Sequence, residues 1–124
     1  MALPLVSVVT PTYNRRKFLP SLIECYKSQT YKGPMEWVIL DDGEDCVKDV
    51  FDTCGVPVHY IRHESKLLIG AKRNILNRES KGDIIVAMDD DDFYFPDRVS
   101  HVVQNFMRSP NIYWQKSILL SWLR

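Results

Sequence analysis

The sequence predicts an α/β fold, a mainly parallel sheet flanked by helices, on three observations. Short apolar runs alternate with stretches of helical periodicity, turn residues punctuate the junctions, and two of the apolar runs end in paired aspartates. At 124 residues the chain suits one compact domain, or part of a larger one. Its 45% hydrophobic and 26% charged residues describe an ordinary globular protein with a single core, which sets disorder aside.

The elements follow in order. Val6 to Thr10 is a β-branched run that Pro11 is expected to stop, and after Asn14 a helix carries Phe18, Leu19, Leu22, Ile23 and Tyr26 on one face. Lys32-Gly-Pro34 breaks the chain, Trp37 to Leu40 reads as a buried strand, and Asp41-Asp42-Gly43 closes it with turn chemistry. A short helix around Cys46 to Thr53 and a strand from Val58 to Arg62 come next, separated by Gly55 and Pro57. Ile69 to Arg78 is helical with Ala71, Ile75 and Leu76 inward, and Lys81-Gly82 ends it. Asp83 to Met88 is another apolar strand, running directly into Asp89 to Asp92, and Pro96 opens a last helix through Val99, Val102, Val103 and Phe106. Strands alternating with helices imply right-handed crossovers, and such sheets bind ligands beyond the carboxyl ends of their strands. Both aspartate groups fall there.

Composition narrows the function. Sixteen basic residues balance sixteen acidic ones, so the chain has no global field to gather nucleic acid, and any charged site is local. Arg15, Arg16 and Lys17 form one local cluster and Asp89 to Asp92 the opposing one. Cys25, Cys46 and Cys54 are odd in number and without CxxC spacing, which argues against disulfide or zinc frameworks; they read as core residues in a reducing, cytoplasmic compartment. No run approaches the length of a membrane span, and the apolar tail from Ile112 to Leu123 reads as a core or partner-covered segment. Membrane association would therefore come through a partner or a further segment. His59, His63 and His101 share no ligand spacing and are assigned no role.

Four adjacent aspartates would repel one another unless cations neutralised them, and carboxylate oxygens suit Mg²⁺ or Mn²⁺ shared with substrate phosphates. Continued extended geometry would turn Asp89 and Asp91 to one side and Asp90 to the other. An EF-hand is a poorer alternative, since Phe95 and Pro96 occupy places where the calcium loop wants ligands and its turn glycine is missing. A carboxylate at Asp41 or Asp42 could accept the imide N–H of uracil, which cytosine cannot donate. Thr10, Pro11, Thr12 and Tyr13 offer a hydroxyl, a rigid turn and an aromatic face to a base or ribose. Gly70 to Asn74 sets small residues with Lys72 and Arg73 at a helix start, a place that favours a diphosphate. Neither a P-loop nor a GxGxxG fingerprint is present, which removes most support for ATPase or NAD readings.

Taken together, Val6-Ser-Val-Val-Thr-Pro-Thr-Tyr-Asn-Arg15, Asp41-Asp42-Gly43, Gly70-Ala-Lys-Arg-Asn74 and Met88-Asp-Asp-Asp-Asp92 resemble family 2 glycosyltransferases over about residues 4 to 108. The resemblance implies a Rossmann-like GT-A nucleotide-binding domain, here one domain over 1–124. It implies that Pro11, Tyr13 and Asp41 or Asp42 hold uracil and that Arg73 contacts the nucleotide or its diphosphate, with Thr10 and Asp90 also on the nucleotide side. By the same resemblance Asp89 and Asp91 match the DxD motif, Asp89 toward the ribose, Asp91 on the metal (Mn²⁺ or Mg²⁺) and Asp92 supporting or sharing that role. The implied activity is transfer from a UDP-sugar to an acceptor (glycan, protein or lipid), usually with inversion.

In that family the catalytic base lies in the half after the DxD, and no residue after Asp92 matches it, so the base is unassigned and the fold is expected to be a truncated one. The alternative is a non-catalytic nucleotide-binding module. A nucleotidyltransferase fits less well, since the N-terminal loop lacks a glycine-rich phosphate cradle. The apolar tail and an open sheet edge raise the expectation of self-association as a homo-oligomer.

Overall fold

A computed structural model describes residues 3–108. It contains a four-stranded sheet in the order β3-β2-β1-β4, every pairing parallel, from β1 (Val6–Thr12), β2 (Met35–Asp41), β3 (His59–Arg62) and β4 (Ile84–Ala87). A 3-10 turn (Arg16–Phe18) leads into α1 (Leu19–Lys27), followed along the chain by α2 (Lys48–Asp52), α3 (Ile69–Glu79) and α4 (Arg98–Arg108).

Strand alternation divides the core cleanly. Val6, Val8, Trp37, Ile39, Ile84, Val86 and Met88 point to one face, where they meet Leu19, Leu22 and Ile23 of α1, Phe51 of α2 and Val99, Val102 and Val103 of α4. Val9, Val38, Leu40, Ile85 and Ala87 point to the other, where Leu76 anchors α3. Strands buried on both faces account for the continuous apolar runs in the sequence. The rings of Trp37 and Tyr26 stack at 4.3 Å, with Phe51 edge-on to the indole at 5.5 Å. Gln29, just beyond α1, accepts from the Val99 amide at 2.9 Å and donates to Phe95 O at 3.0 Å, tying the start of α4 to the end of α1.

Several expectations are corrected. Pro11 does not stop β1: it pairs in register with Leu40, and the strand runs on to Thr12. In a strand, backbone groups of alternate residues face alternate neighbours; Val9 accepts from the Met88 amide on the β4 side, so Pro11 also faces that side, past the last β1–β4 partners, Val9 and Ala87. The missing N–H therefore removes no ladder bond. Phe18 is exposed, because the 3-10 turn rotates it off the apolar stripe, and buried Cys25 takes a place on the inner face. Cys46 is likewise exposed, while Cys25 and Cys54 are buried. Only Leu76 is fully buried among the three inward residues expected on α3. No helix among the described residues is long and apolar enough to cross a membrane. The tail from Ile112 to Leu123 lies outside them.

Thr10 is fully buried within β1, where its Oγ1 accepts from Trp37 Nε1 at 2.9 Å and donates to Met88 O at 2.7 Å. This relay joins three adjacent strands' worth of chain from β2 through β1 to the end of β4. Replacing Thr10 with the isosteric Val is expected to strand an indole N–H and a carbonyl and to lower stability by about 1–3 kcal/mol. Urea unfolding monitored by Trp fluorescence checks this.

Candidate functional site

Parallel alignment brings the ends of β1, β2 and β4 to one edge of the sheet, with β1 in the middle. Past that edge lies a cleft of about 240 Å³ lined by Pro11, Tyr13, Arg15, Ile69, Lys72, Arg73, Asp89, Asp90 and Asp91. A larger, mainly apolar groove of about 450 Å³ beside α1 is lined by Pro20, Ser21, Glu24, Cys25, Ser28 and Phe93. It brings no cation to its wall, whereas the smaller cleft combines cations, carboxylates and an aromatic ring.

Asp41 and Asp42 end β2 but serve different neighbours. Asp41 is fully buried: Oδ1 accepts from the Gly43 amide at 3.0 Å, Oδ2 accepts from the Val47 amide at 3.0 Å and from the Tyr60 hydroxyl, and Arg62 Nη1 lies 3.3 Å from Oδ1. Burial, and the hydrogen bond to Asp41 after it, push the Tyr60 phenol well above its ordinary pKa. Asp41 thus organises the loop after β2 and does not line the cleft. Asp42 Oδ2 accepts from the Leu67 amide at 2.7 Å. Its Oδ1 stands 2.9 Å from Lys72 Nζ, an ion-pair distance without hydrogen-bond geometry.

The loop after β1 crosses the loop after β2. Asn14 adopts a left-handed conformation (φ 53°), and its Oδ1 accepts from the Asp45 amide at 3.0 Å. A Cβ on Gly43 would lie 2.6 Å from Asn14 N and Oδ1, so close approach of two backbones, rather than an unusual φ, demands glycine there. Arg16 reinforces the crossing, reaching Asp45 at 2.9 Å and Asp49 at 2.7 Å. The Tyr13 ring, on the same loop, lies beneath two ammonium groups, Lys66 at 4.8 Å and Lys72 at 5.6 Å from its centroid.

After β4 the aspartates separate. Asp90 turns inward and accepts from Thr12 Oγ1 at 2.7 Å. Burial pushes its carboxyl above the usual range, while the Thr12 bond and the nearby Arg15 pull the other way. Asp89, Asp91 and Asp92 present carboxylate oxygens within 4.8 Å of one another. The chain turns here, with the Asp92 amide toward Asp89 O at 3.5 Å, and Tyr94 braces the turn, its hydroxyl accepting from the Asp89 amide at 2.7 Å and lying 3.3 Å from Asp92 Oδ2. Three hard oxygen donors side by side, beside two arginines, fit Mg²⁺ or Mn²⁺ shared with an anion.

Of the residues read from sequence, Pro11, Tyr13, Arg73, Asp89, Asp90 and Asp91 meet in the cleft, and Asp92 stands beside it. Thr10 does not, because its hydroxyl is spent inside the sheet; Asp41 and Asp42 do not line it either, because both side chains are fully buried, Asp41 on two amides, Tyr60 and Arg62, and Asp42 on the Leu67 amide and Lys72. Arg15, seen in the sequence only as part of a basic cluster, lines the cleft. Thr12 reaches it through Asp90.

Residues 7–118 match the family described as Glycosyl transferase family 2. An uncharacterized glycosyltransferase of Haemophilus influenzae is 35% identical over 111 residues, covering 87% of this chain and 36% of that protein. An N-acetylglucosaminyltransferase of Azorhizobium caulinodans is 31% identical over 120 residues, covering 88% and 29%. Among solved structures, the Pyrobaculum calidifontis mannosyltransferase PcManGT, in complex with GDP-Man and Mn²⁺, superposes with a TM-score of 0.76 at 20% identity over 86% of this chain and 33% of its own. S. aureus TarS in complex with UDP-GlcNAc gives 0.73 at 21% identity over 87% and 32%. The chain spans roughly a third of the length of these relatives.

The two motif glycines are expected to respond oppositely to alanine. Gly43→Ala forces the crossing loops apart and is expected to lower stability by about 1–3 kcal/mol. A Cβ on Gly70 meets nothing within 4 Å, so Gly70→Ala in the first turn of α3 is expected to raise stability by up to about 1 kcal/mol. Denaturant midpoints of the two variants check both signs.

Proposed function

The chain belongs to glycosyl transferase family 2, and from that premise we propose that it forms the donor site of an enzyme that transfers a sugar from a UDP-sugar to an acceptor hydroxyl, with Mn²⁺ or Mg²⁺ and inversion at the anomeric carbon. The observation that carries this reading is the single cleft joining Tyr13, Arg15, Lys72 and Arg73 to Asp89, Asp90 and Asp91 at the carboxyl edge of a parallel sheet. The UDP-GlcNAc bound by TarS and the GDP-Man and Mn²⁺ bound by PcManGT support a nucleotide-sugar with a divalent ion.

In this assignment Tyr13 and Pro11 form the wall against the base. Of the two carboxylates after β2, Asp42 is the candidate acceptor for the uracil imide N–H, since its Oδ1 carries no hydrogen bond while the oxygens of Asp41 are taken up by two amides, Tyr60 and Arg62; the Asp42 side chain is fully buried beside Lys72, so this contact requires it to become accessible. Asp89 and Asp90 lie toward the ribose, with Asp90 held by Thr12. Asp91 and Asp92 would hold the divalent ion, which when bound neutralises charge on a leaving diphosphate. Arg15 and Arg73 face the same charge as the bond to the sugar breaks, and a fixed guanidinium stabilises it best where water is excluded. The base that deprotonates the acceptor is not assigned among the described residues.

Calorimetric titration with UDP is expected to show binding that requires Mn²⁺ and is selective over ADP. Asp91→Ala is expected to abolish the metal-dependent part, and unchanged binding would refute the metal assignment. Arg73→Ala is expected to weaken UDP at least tenfold, in line with the loss of a charge-assisted contact of about 1.5–3 kcal/mol, while sparing uridine. Equal losses for both ligands would remove Arg73 from the diphosphate.

A further inference from the structure

One side chain in the exposed loop after the aspartates is turned inward. Phe93 and Phe95 are 71% and 70% exposed, whereas Tyr94 between them is 6% exposed and belongs to the same core cluster as Met88 and Val99. The Arg98 guanidinium lies 5.3 Å from the Tyr94 ring centroid, and its Nη2 donates to Ala87 O at 3.0 Å, where β4 ends. Gln29 Nε2 and the Thr30 amide hold the next two residues, donating to Phe95 O at 3.0 Å and to Pro96 O at 2.8 Å. Core packing therefore sets where the Tyr94 hydroxyl stands, and it stands at the carboxylates.

The bonding of that hydroxyl has a direction. A phenol carries a single proton. Because the Asp89 amide donates to the phenol oxygen at 2.7 Å, the proton is left for Asp92 Oδ2, 3.3 Å away. One hydroxyl thus ties the backbone of the first aspartate to the carboxylate of the last. Asp92 is exposed, and an exposed carboxylate samples several rotamers that it must give up on taking a cation. Restraint in advance lowers that cost.

We propose that Tyr94 is a positioning residue for the divalent ion: its hydroxyl, aimed by the Asp89 amide, holds the Asp92 carboxylate beside those of Asp89 and Asp91. The inference rests on the assignment of the ion to Asp91 and Asp92 in the donor-site reading above, and it gives Tyr94 no contact with the ligand. Hydrogen bonds that orient metal ligands are worth about 10–100-fold in metal affinity. At 3.3 Å the bond to Asp92 is long, which sets the effect at the lower end of that range.

The test is Mn²⁺ titration of the chain and of Tyr94→Phe, read from the EPR signal of the free ion. Phenylalanine keeps the ring in the core and removes only the hydroxyl, and Mn²⁺ affinity is expected to fall about tenfold. A lower urea midpoint with Mn²⁺ affinity unchanged would make Tyr94 merely structural and overturn the proposal. Repeating the substitution in an Asp92→Ala background shows whether Tyr94 acts through that carboxylate. There the loss is expected to shrink below about threefold, since no carboxylate remains to be held; equal losses in both backgrounds overturn the proposal. A further measurement uses the unaltered, metal-free chain. The Asp89 amide is expected to exchange its proton at least about tenfold more slowly than in an unstructured peptide, and exchange at the unstructured rate overturns the proposal. Failure of the unaltered chain to bind Mn²⁺ would instead sink the metal assignment itself, and this inference with it.

Discussion

The site depends on one constraint: β1 must lie between β2 and β4 with all three strands parallel. That arrangement delivers Asp41, Asp42 and Asp89 to Asp92 to a single sheet edge, a concentration of negative charge that the fold has to manage. It does so by giving the carboxylates different partners. Asp41 is sealed into the loop by two amides, Tyr60 and Arg62; Asp42 is set against Lys72; Asp90 is turned onto Thr12. Asp89, Asp91 and Asp92 are left grouped toward the solvent side, where a cation can neutralise them. Burial, not position in a motif, separates the carboxylates held inside the fold from those grouped toward solvent.

Much of this was legible in the sequence, and the reasons are local. Alternation of apolar runs with helical stretches located the strands and helices of the described residues to within a few positions, because strands buried on both faces are continuously apolar and α1 and α4 are strongly amphipathic. Alternation would set Asp89 and Asp91 against Asp90 only if extended geometry continued, but β4 ends at Ala87 and the chain turns, so the grouping of the carboxylates comes from that turn, with Asp90 directed onto Thr12. The turn at Asp90–Asp91 then brings Asp92 into the same group, which alternation alone does not give.

What was not legible depends on contacts between distant segments. Thr10 and Asp41 carry the residue types of a nucleotide site, yet Thr10 is occupied by partners 27 and 78 positions away, and Asp41, besides the local amides of Gly43 and Val47, by Tyr60, 19 positions away. Lys72 and Arg73 are adjacent and chemically alike in sequence; only the crossing of α3 over the end of β2 sets Lys72 against Asp42. Pro11 reads as a strand breaker unless it is known that its backbone faces beyond the end of β4. The need for glycine at position 43 likewise comes from Asn14, on another loop, rather than from its own turn.

The central claim, that Asp91 and Asp92, grouped with Asp89, hold a divalent cation beside the cleft that takes the nucleotide, is tested most directly by paramagnetic broadening. Substoichiometric Mn²⁺ added to the ¹⁵N-labelled chain with UDP should broaden the amide resonances of residues 88–94 and of the first turn of α3 before any others. Adding excess Mg²⁺ should restore them. Broadening centred elsewhere, or spread evenly over the acidic surface, would contradict the account.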